Sequence, residues 1–159
     1  MSQAGITLET SLGYLLKEAA SALRAAMEEV LKPLGMTITH YSCLELLAQR
    51  PGLSNSELAR GAFVTRQSMN VLLQALERDG YVTRPERADT GRALPTRLTA
   101  SGRRSLDEAS RAVREVELRM LSGMTETQQA AALHALRSMV SSLNGGATGS
   151  RRFTQDSAR

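Results

Sequence analysis

The amino-acid sequence predicts a mainly α-helical fold that contains one small two-stranded β-ribbon. Six stretches of the chain carry apolar residues at spacings of three and four, which is the period of a helix packed on one side. Two short extended runs, 81–84 and 96–99, follow the fourth stretch and flank a turn-like segment. Aromatic residues make up only 3% of the chain, so the core is expected to be aliphatic, as suits packed helices.

Glycine and proline mark the ends of the first two predicted helices. Apolar residues recur with helical spacing over 8–34, and Gly35 is expected to end this first helix. Thr37 is a typical N-cap residue and is expected to begin a second helix, which ends at Pro51 and Gly52. The two helices are therefore predicted to span the first third of the chain.

The next two helices are predicted to lie close together, joined by a tight turn. Ser54 and Glu57 have the spacing of a capping box, in which both side chains accept hydrogen bonds from backbone amides, so a third helix is predicted over 55–60. Thr65 is expected to cap a fourth helix that ends before Gly80. Two helices joined in this way and followed by a ribbon form a winged helix-turn-helix.

Two further helices and a tail complete the predicted order. Thr99 is expected to cap a fifth helix, and Thr125 with Gln128 has the spacing of a second capping box, which begins a sixth. Residues 145–159 are rich in Gly, Ser and Thr with scattered charge, so they are predicted to be a disordered tail.

Composition narrows the class of protein. The single cysteine excludes an intramolecular disulfide. The first ten residues lack the features of a secretion signal and no apolar run is long enough to cross a bilayer, so a cytoplasmic protein without a membrane partner is predicted. The sequence has no recognisable pair of catalytic acids, nucleophile with a base or glycine-rich phosphate loop, so neither an enzyme nor a cofactor is predicted.

Positive charge is concentrated in the middle of the chain. Between residues 60 and 104 there are nine arginines, no lysine and four acidic residues, a net charge of +5 in a chain whose total is +4. Arginine provides a planar set of donors that fits phosphates and guanine edges. Such a segment in a near-neutral chain is either a solvated surface or the footprint of a nucleic acid.

The outward face of the fourth helix favours the second interpretation, a surface that binds nucleic acid. No carboxylate precedes Glu77 in this helix, whereas a merely solvated helix face normally includes Glu and Lys. A helix with hydrogen-bonding and cationic side chains fits the major groove of duplex DNA. The predicted DNA-binding residues are Thr65, Arg66, Gln67, Ser68, Asn70 and Gln74 on the helix, and Arg84, Arg87, Arg92 and Arg97 on the ribbon.

Two segments carry a specific resemblance to a known family. Residues 58–84, LARGAFVTRQSMNVLLQALERDGYVTR, resemble without gaps the helix-turn-helix of the MarR family of bacterial transcription regulators. Residues 91–102, GRALPTRLTASG, resemble that family's wing and the start of its fifth helix. One position departs from the pattern: Thr90 stands where the family often has an aspartate that orients the arginine at the wing tip, here Arg92.

The resemblance implies both organisation and function. It implies an N-terminal dimerisation helix over 1–36, a winged helix-turn-helix DNA-binding domain over 37–100 and C-terminal dimerisation helices over 101–144. It further implies a homodimer that binds palindromic double-stranded DNA as a repressor and is released by a small, aromatic or phenolic effector. The alternative is a winged-helix adaptor that binds another protein and has neither DNA binding nor ligand sensing.

Members of the family often hold an effector between the dimerisation and DNA-binding parts. The candidates for such a pocket are Tyr14, Met36, His40, Tyr41 and Cys43, and for each the alternative is a role in the core. The family's peroxide-sensing branch has its reactive cysteine near the start of helix one, where this chain has none, so Cys43 is expected to be a buried small hydrophobe. His40 and Cys43 provide too few ligands for a zinc site, and no metal is predicted.

Overall fold

The structure, a computed structural model, describes residues 5–84 and 96–145, and within them the predicted fold class is confirmed. The α-helices in these residues are α1 Leu12–Leu31, α2 Ile38–Gln49, α3 Asn55–Gly61, α4 Arg66–Arg78, α5 Ala100–Leu121 and α6 Glu126–Gly145. Strands β1 Val82–Thr83 and β2 Arg97–Leu98 pair antiparallel, with Val82 opposite Leu98 and Thr83 opposite Arg97. The order is that of a helix-turn-helix followed by a ribbon, with helices on either side.

The predicted caps form as expected. The Ser54 hydroxyl accepts from the Glu57 amide at 3.2 Å, and the Glu57 carboxylate accepts from the Ser54 amide at 2.7 Å. This second bond lowers the pKa of the Glu57 carboxyl, because it stabilises the charged form. Thr65 accepts from the Ser68 amide at 3.1 Å at the start of α4. Because these contacts span only three residues, they depend on local sequence alone.

The first helix is not continuous over 8–34, and the expectation for it was wrong at both ends. Leu8–Thr10 is a separate 3-10 turn, and Ser11 is extended, with its side chain accepting from the amide of Tyr14, so that α1 begins after it. At the other end the chain tightens into a second 3-10 turn, Lys32–Leu34. Pro33 has no N–H to continue the α-helical bonding, which explains this change.

Other boundaries differ by one residue. Each strand covers only the central two residues of its predicted run, and α6 extends to Gly145, the first residue of the predicted tail. The remainder of that tail, 146–159, lies outside the described residues, as does the segment between the two strands.

The core joins α1, α2 and α5 to the helix-turn-helix. Its members are aliphatic, as predicted from the composition. The largest fully buried side chains are Leu31, Cys43, Leu44, Leu58, Met69, Leu73, Leu76 and Val82. Since α3 and α4 both contribute to this cluster, the angle between them is set by close packing rather than by the turn alone.

Two compact units divide the chain, residues up to Leu118 and residues from Arg119 onward. In the first unit, α1 carries the exposed apolar residues Leu12, Leu15 and Leu16. In the second, α6 has no buried residue and carries a stripe of exposed apolar residues with helical spacing: Leu133, Leu136, Val140 and Leu143. None of the described helices is both long and apolar enough to span a membrane.

Candidate nucleic-acid interface

The candidate interface is built on α4, which the core anchors along one side. Met69, Leu73 and Leu76 are at most 2% exposed and lie on one face of the helix. Buried aliphatic side chains at this spacing prevent the helix from rotating about its axis. The opposite side chains are therefore held at fixed positions.

The exposed face of α4 contains every helical residue that the sequence indicated. Arg66, Gln67, Ser68, Asn70 and Gln74 are all exposed. At 3.6 residues per turn, Gln67 and Gln74 lie opposite the buried face, and so does Val71, which is 60% exposed. Sequence reasoning missed Val71 because it restricted the contact face to hydrogen-bonding side chains. The helical period alone places this residue on the outer face.

The N-terminus of α4 is organised by its own side chains. The Thr65 hydroxyl accepts from the Ser68 amide and donates to the Ser68 hydroxyl at 2.9 Å. Thr65 and Ser68, both predicted to contact DNA, thus bind each other and order the first turn of the helix. The amides of Arg66 and Gln67, which precede the capped Ser68 amide, lie at the positive end of the helix dipole, an arrangement that suits a phosphate.

Arg84 and Asn70, both predicted to contact DNA, bind each other. The Arg84 guanidinium donates through Nη1 to Oδ1 of Asn70 at 3.4 Å and through Nη2 to its main-chain oxygen at 3.3 Å. Arg84 is only partly exposed, in contrast to the arginines of α4. It therefore joins the base of the ribbon to the exposed helix.

The ribbon is fixed to α5 by Thr99 and Gly102. The Thr99 hydroxyl donates to the carbonyl of Gly80 at 2.6 Å and accepts from the amide of Gly102 at 3.0 Å, and the Thr99 amide donates to the carbonyl of Tyr81. The predicted cap is confirmed, but Thr99 also closes the loop around the ribbon. Arg97 on β2 is exposed, whereas Arg87 and Arg92 lie outside the described residues, as does Thr90.

The residues predicted for an effector pocket lie in different surroundings. Met36 lines a cavity of about 480 Å³ between the end of α1 and the start of α2, together with Arg24, Glu28, Lys32 and Ile38. Tyr41 lines a smaller cavity of about 220 Å³, and its hydroxyl donates to Glu45 at 3.3 Å. Tyr14 is 45% exposed on α1.

His40 and Cys43 both face inward. The His40 ring packs edge-on against Tyr81, with the ring centroids 5.6 Å apart, and burial lowers the pKa of His40 against an opposing effect of Asp79. Cys43 is fully buried, and this burial raises the pKa of its thiol to about 12. The thiol therefore stays protonated at neutral pH, where only a thiolate would react readily. In the part of the chain that the structure describes, no cluster of three potential metal ligands occurs.

A third cavity lies beside the ribbon. It has a volume of about 500 Å³ and is lined by Leu47, Pro51 and Leu98 and by the side chains of Arg97 and Arg103. Sequence reasoning did not indicate this cavity, since its walls come from α2, β2 and α5. It provides a second cationic, partly apolar site for comparison with the one at Met36.

A helix-turn-helix whose exposed helix presents arginine and amide side chains defines a winged-helix DNA-binding protein. The MarR family model matches residues 34–93. The chain is also 44% identical over 125 residues to the HTH-type transcriptional repressor Rv2887 of Mycobacterium tuberculosis, covering 79% of this chain and 90% of the relative. The chain therefore belongs to the MarR family of transcriptional regulators.

Two solved structures of that relative are similar to this chain. One is the M. tuberculosis protein Rv2887 in complex with DNA, with a TM-score of 0.68, 41% identity, and coverage of 82% of this chain and 98% of the other. The second is the same protein with p-aminosalicylic acid, with a TM-score of 0.69, 42% identity and the same coverage.

Proposed function

We propose that this protein is a homodimeric, sequence-specific DNA-binding repressor that an aromatic carboxylate releases from its operator. The observation that carries the proposal is the exposed face of α4. It presents arginine, glutamine, asparagine and serine, and its first carboxylate is Glu77. The buried residues on the opposite face hold it rigid, so that these groups are positioned before DNA arrives.

Each contact residue has a role that follows from its chemistry. Arg66 is suited to the O6 and N7 acceptors of guanine, and Gln67 and Gln74 to the donor and acceptor pair of adenine. Val71 is suited to the methyl group of thymine. Thr65 and Ser68 order the first turn, whose amides bind a phosphate. Arg97 binds the backbone beside the ribbon, and Arg87 and Arg92 are proposed to continue this contact along the wing.

A second copy of the chain is proposed to cover the apolar stripes of α1 and α6. Leu136, Val140 and Leu143 are between 44% and 81% exposed, and Leu12 is 68% exposed. Apolar surface of this extent is normally covered in a soluble protein. The resulting two-fold symmetry requires a palindromic operator with half-sites about one helical turn apart.

The cavity beside Met36 is the proposed effector site. Its volume falls within the range of small-molecule pockets, which is roughly 300–1,000 Å³. Arg24 and Lys32 outnumber the one carboxylate of the wall, Glu28, and so leave positive charge for a ligand carboxylate. Met36 and Ile38 provide apolar surface for a ring. The complex of the M. tuberculosis relative with p-aminosalicylic acid supports this ligand class. The cavity adjoins the start of α2, through which a ligand would act on the core.

The DNA-binding role predicts a specific loss when Arg66 is replaced. Arg66→Ala is expected to weaken binding to an operator selected from a random duplex pool by about 10- to 100-fold, because one bidentate base contact is worth about 1–3 kcal/mol. Discrimination at one base pair should be lost at the same time. Because a base contact neutralises no phosphate, the slope of affinity against salt, measured by anisotropy, should stay close to that of the wild-type protein.

Arg114→Ala is the matched control, since Arg114 is an exposed arginine on α5 and is not among the proposed contact residues. It should leave the affinity and the base preference unchanged. If the wild-type protein binds all duplexes weakly and without salt dependence, the DNA-binding proposal fails and the adaptor remains.

The effector role predicts that Arg24→Ala desensitises the repressor. Salicylate should release DNA from the wild-type protein, and the concentration for half-release should rise about 10- to 100-fold in the variant, because a charged hydrogen bond is worth about 1.5–3 kcal/mol. Arg24 pairs with Glu28 at 3.0 Å on the surface, and such an exposed ion pair contributes little to stability, so the variant should remain folded. Competition anisotropy with labelled operator measures the release.

Arg103→Ala, in the cavity beside the ribbon, is the comparison variant for this experiment. It should retain the wild-type salicylate response. If Arg103→Ala loses the response while Arg24→Ala keeps it, the effector binds beside the ribbon and the assignment to the Met36 cavity is wrong.

A further inference from the structure

Two helical segments of the protein end at a glycine in the same way. After α1 and its 3-10 turn, Gly35 has φ +68°, its amide donates to the carbonyl of Lys32, and the next amide reaches back five residues to Leu31. After α4, Gly80 has φ +82° and makes the equivalent pair of bonds. This is the Schellman motif, whose left-handed residue is usually glycine because a Cβ is disfavoured there.

Phe63 occupies the same position at the end of α3. Its amide donates to the carbonyl of Arg60 at 3.2 Å, and the amide of Val64 donates to that of Ala59 at 3.0 Å. Its φ is +59°, and it is the only residue other than glycine with positive φ in the described parts of the chain. The turn of the helix-turn-helix thus places a phenylalanine in a conformation that favours glycine.

The Phe63 ring makes almost no contact within the described parts of the chain. The residue is 94% exposed, the highest value among the exposed large apolar residues of the described chain. Packing within the described chain therefore does not compensate for the strained backbone. A strained residue of this kind is a reason to seek a function outside the folded chain.

The position of Phe63 indicates what covers the ring. It lies two residues before Thr65, the cap of α4, and between Arg60 in the last turn of α3 and Arg66 in the first turn of α4, both of which are exposed. A polyanion is the partner that two flanking guanidinium groups would attract. The apolar stripes proposed for the second copy lie on other helices, α1 and α6.

We infer that Phe63 is a DNA contact, which packs its ring against the deoxyribose of the backbone at the edge of the groove that α4 enters. This inference rests on the proposed DNA-binding function. Deoxyribose is the same at every base pair, so the contact adds affinity for any duplex and carries no base preference. The ring neutralises no phosphate, so it contributes nothing to the salt dependence.

The test compares Phe63→Gly and Phe63→Leu with the wild-type protein. Phe63→Gly relieves the backbone and removes the ring, so its Tm should rise by about 2–5 °C while its affinity for duplex DNA falls about 5- to 10-fold. The loss should be equal for a duplex selected from a random pool and for a shuffled duplex of the same length. The slope of affinity against salt should not change. Phe63→Leu keeps an apolar side chain in the strained turn and should bind close to wild type.

Each of the other possible outcomes overturns either the inference or the proposed function. Unchanged affinity in Phe63→Gly, with wild-type protein binding DNA in a salt-dependent way, overturns the inference and leaves the proposed function standing. Failure of the wild-type protein to bind DNA overturns the proposed function itself. A fall in Tm would show that the ring packs within the chain, and a shift from dimer to monomer in sedimentation would show that a second copy covers it. Either result also overturns the inference.

Discussion

Replacing Gly102 by alanine should destabilise the protein strongly, by about 3 kcal/mol, which is the upper end of the roughly 1–3 kcal/mol that overpacking usually costs. Gly102 is buried at the start of α5, and a Cβ there would overlap the carbonyl oxygen of Tyr81 and lie 3.0 Å from its carbonyl carbon. The obstacle is backbone, which cannot turn aside as a flexible side chain can. Urea unfolding followed by circular dichroism measures the change.

Gly123→Ala is the matched control for that substitution. Gly123 has nothing within 4 Å of an added Cβ, and its φ is not in the left-handed region. The free energy of unfolding of this variant should change little or rise by about 0.4–1 kcal/mol, since alanine restricts the unfolded chain. Equal destabilisation by the two substitutions would contradict the steric argument.

Because of the same close approach, the folded fraction of the Gly102→Ala variant should also bind DNA more weakly than the wild-type protein. The Tyr81 carbonyl that a Cβ would displace accepts from the amide of Thr99, and Thr99 also binds the carbonyl of Gly80. These bonds position the start of β1 and the cap of α5 together. A shift there moves the ribbon relative to α4, so operator affinity should fall even at temperatures where the variant is folded.

Leu73→Ala and Val71→Ala should separate the two faces of α4. Leu73 is 2% exposed, so truncating it leaves a cavity and should cost about 2–5 kcal/mol of unfolding free energy. Val71 is 60% exposed, so its truncation should change stability by no more than about 0.5 kcal/mol. For DNA binding we expect the opposite order: Val71→Ala should lose more affinity than Leu73→Ala, because Val71 is proposed to contact a thymine methyl group.

Unfolding curves and selection from a random duplex pool measure these two effects. Val71→Ala should lose preference for thymine at one position of each half-site, while Leu73→Ala, studied well below its Tm, should select the wild-type sequence. If Val71→Ala selects the wild-type operator with wild-type affinity, the outer face of α4 is not the surface that reads bases at that position.

The features that sequence predicted well are those that depend on neighbouring residues. The capping box of Ser54 and Glu57 and the cap at Thr65 follow from side chains three residues from their partners. The break at Ser11 was missed because apolar spacing continues across it, although serine is itself a favoured cap. Val71 was missed because residue type was weighed above helical position.

The features that sequence could not predict depend on contacts between distant elements. Arg84 and Asn70 are 14 residues apart, and their pairing depends on where β1 leaves α4. Met36 and Tyr41 line separate cavities because the packing of α2 against its neighbours decides which face each residue joins. Apolar periodicity identifies a buried face but not its partner.

The pairing of Arg84 with Asn70 also limits the chemistry that α4 can offer to a base. An asparagine that recognises adenine needs both its oxygen and its amide hydrogens at the base edge. Here the side-chain oxygen of Asn70 accepts from the Arg84 guanidinium at the base of the ribbon, which leaves the amide hydrogens as the donors that Asn70 can offer to a base. Asn70 is thereby biased toward acceptor atoms such as O6 or N7 of guanine, and any movement of the ribbon that withdraws Arg84 changes the base that this position prefers.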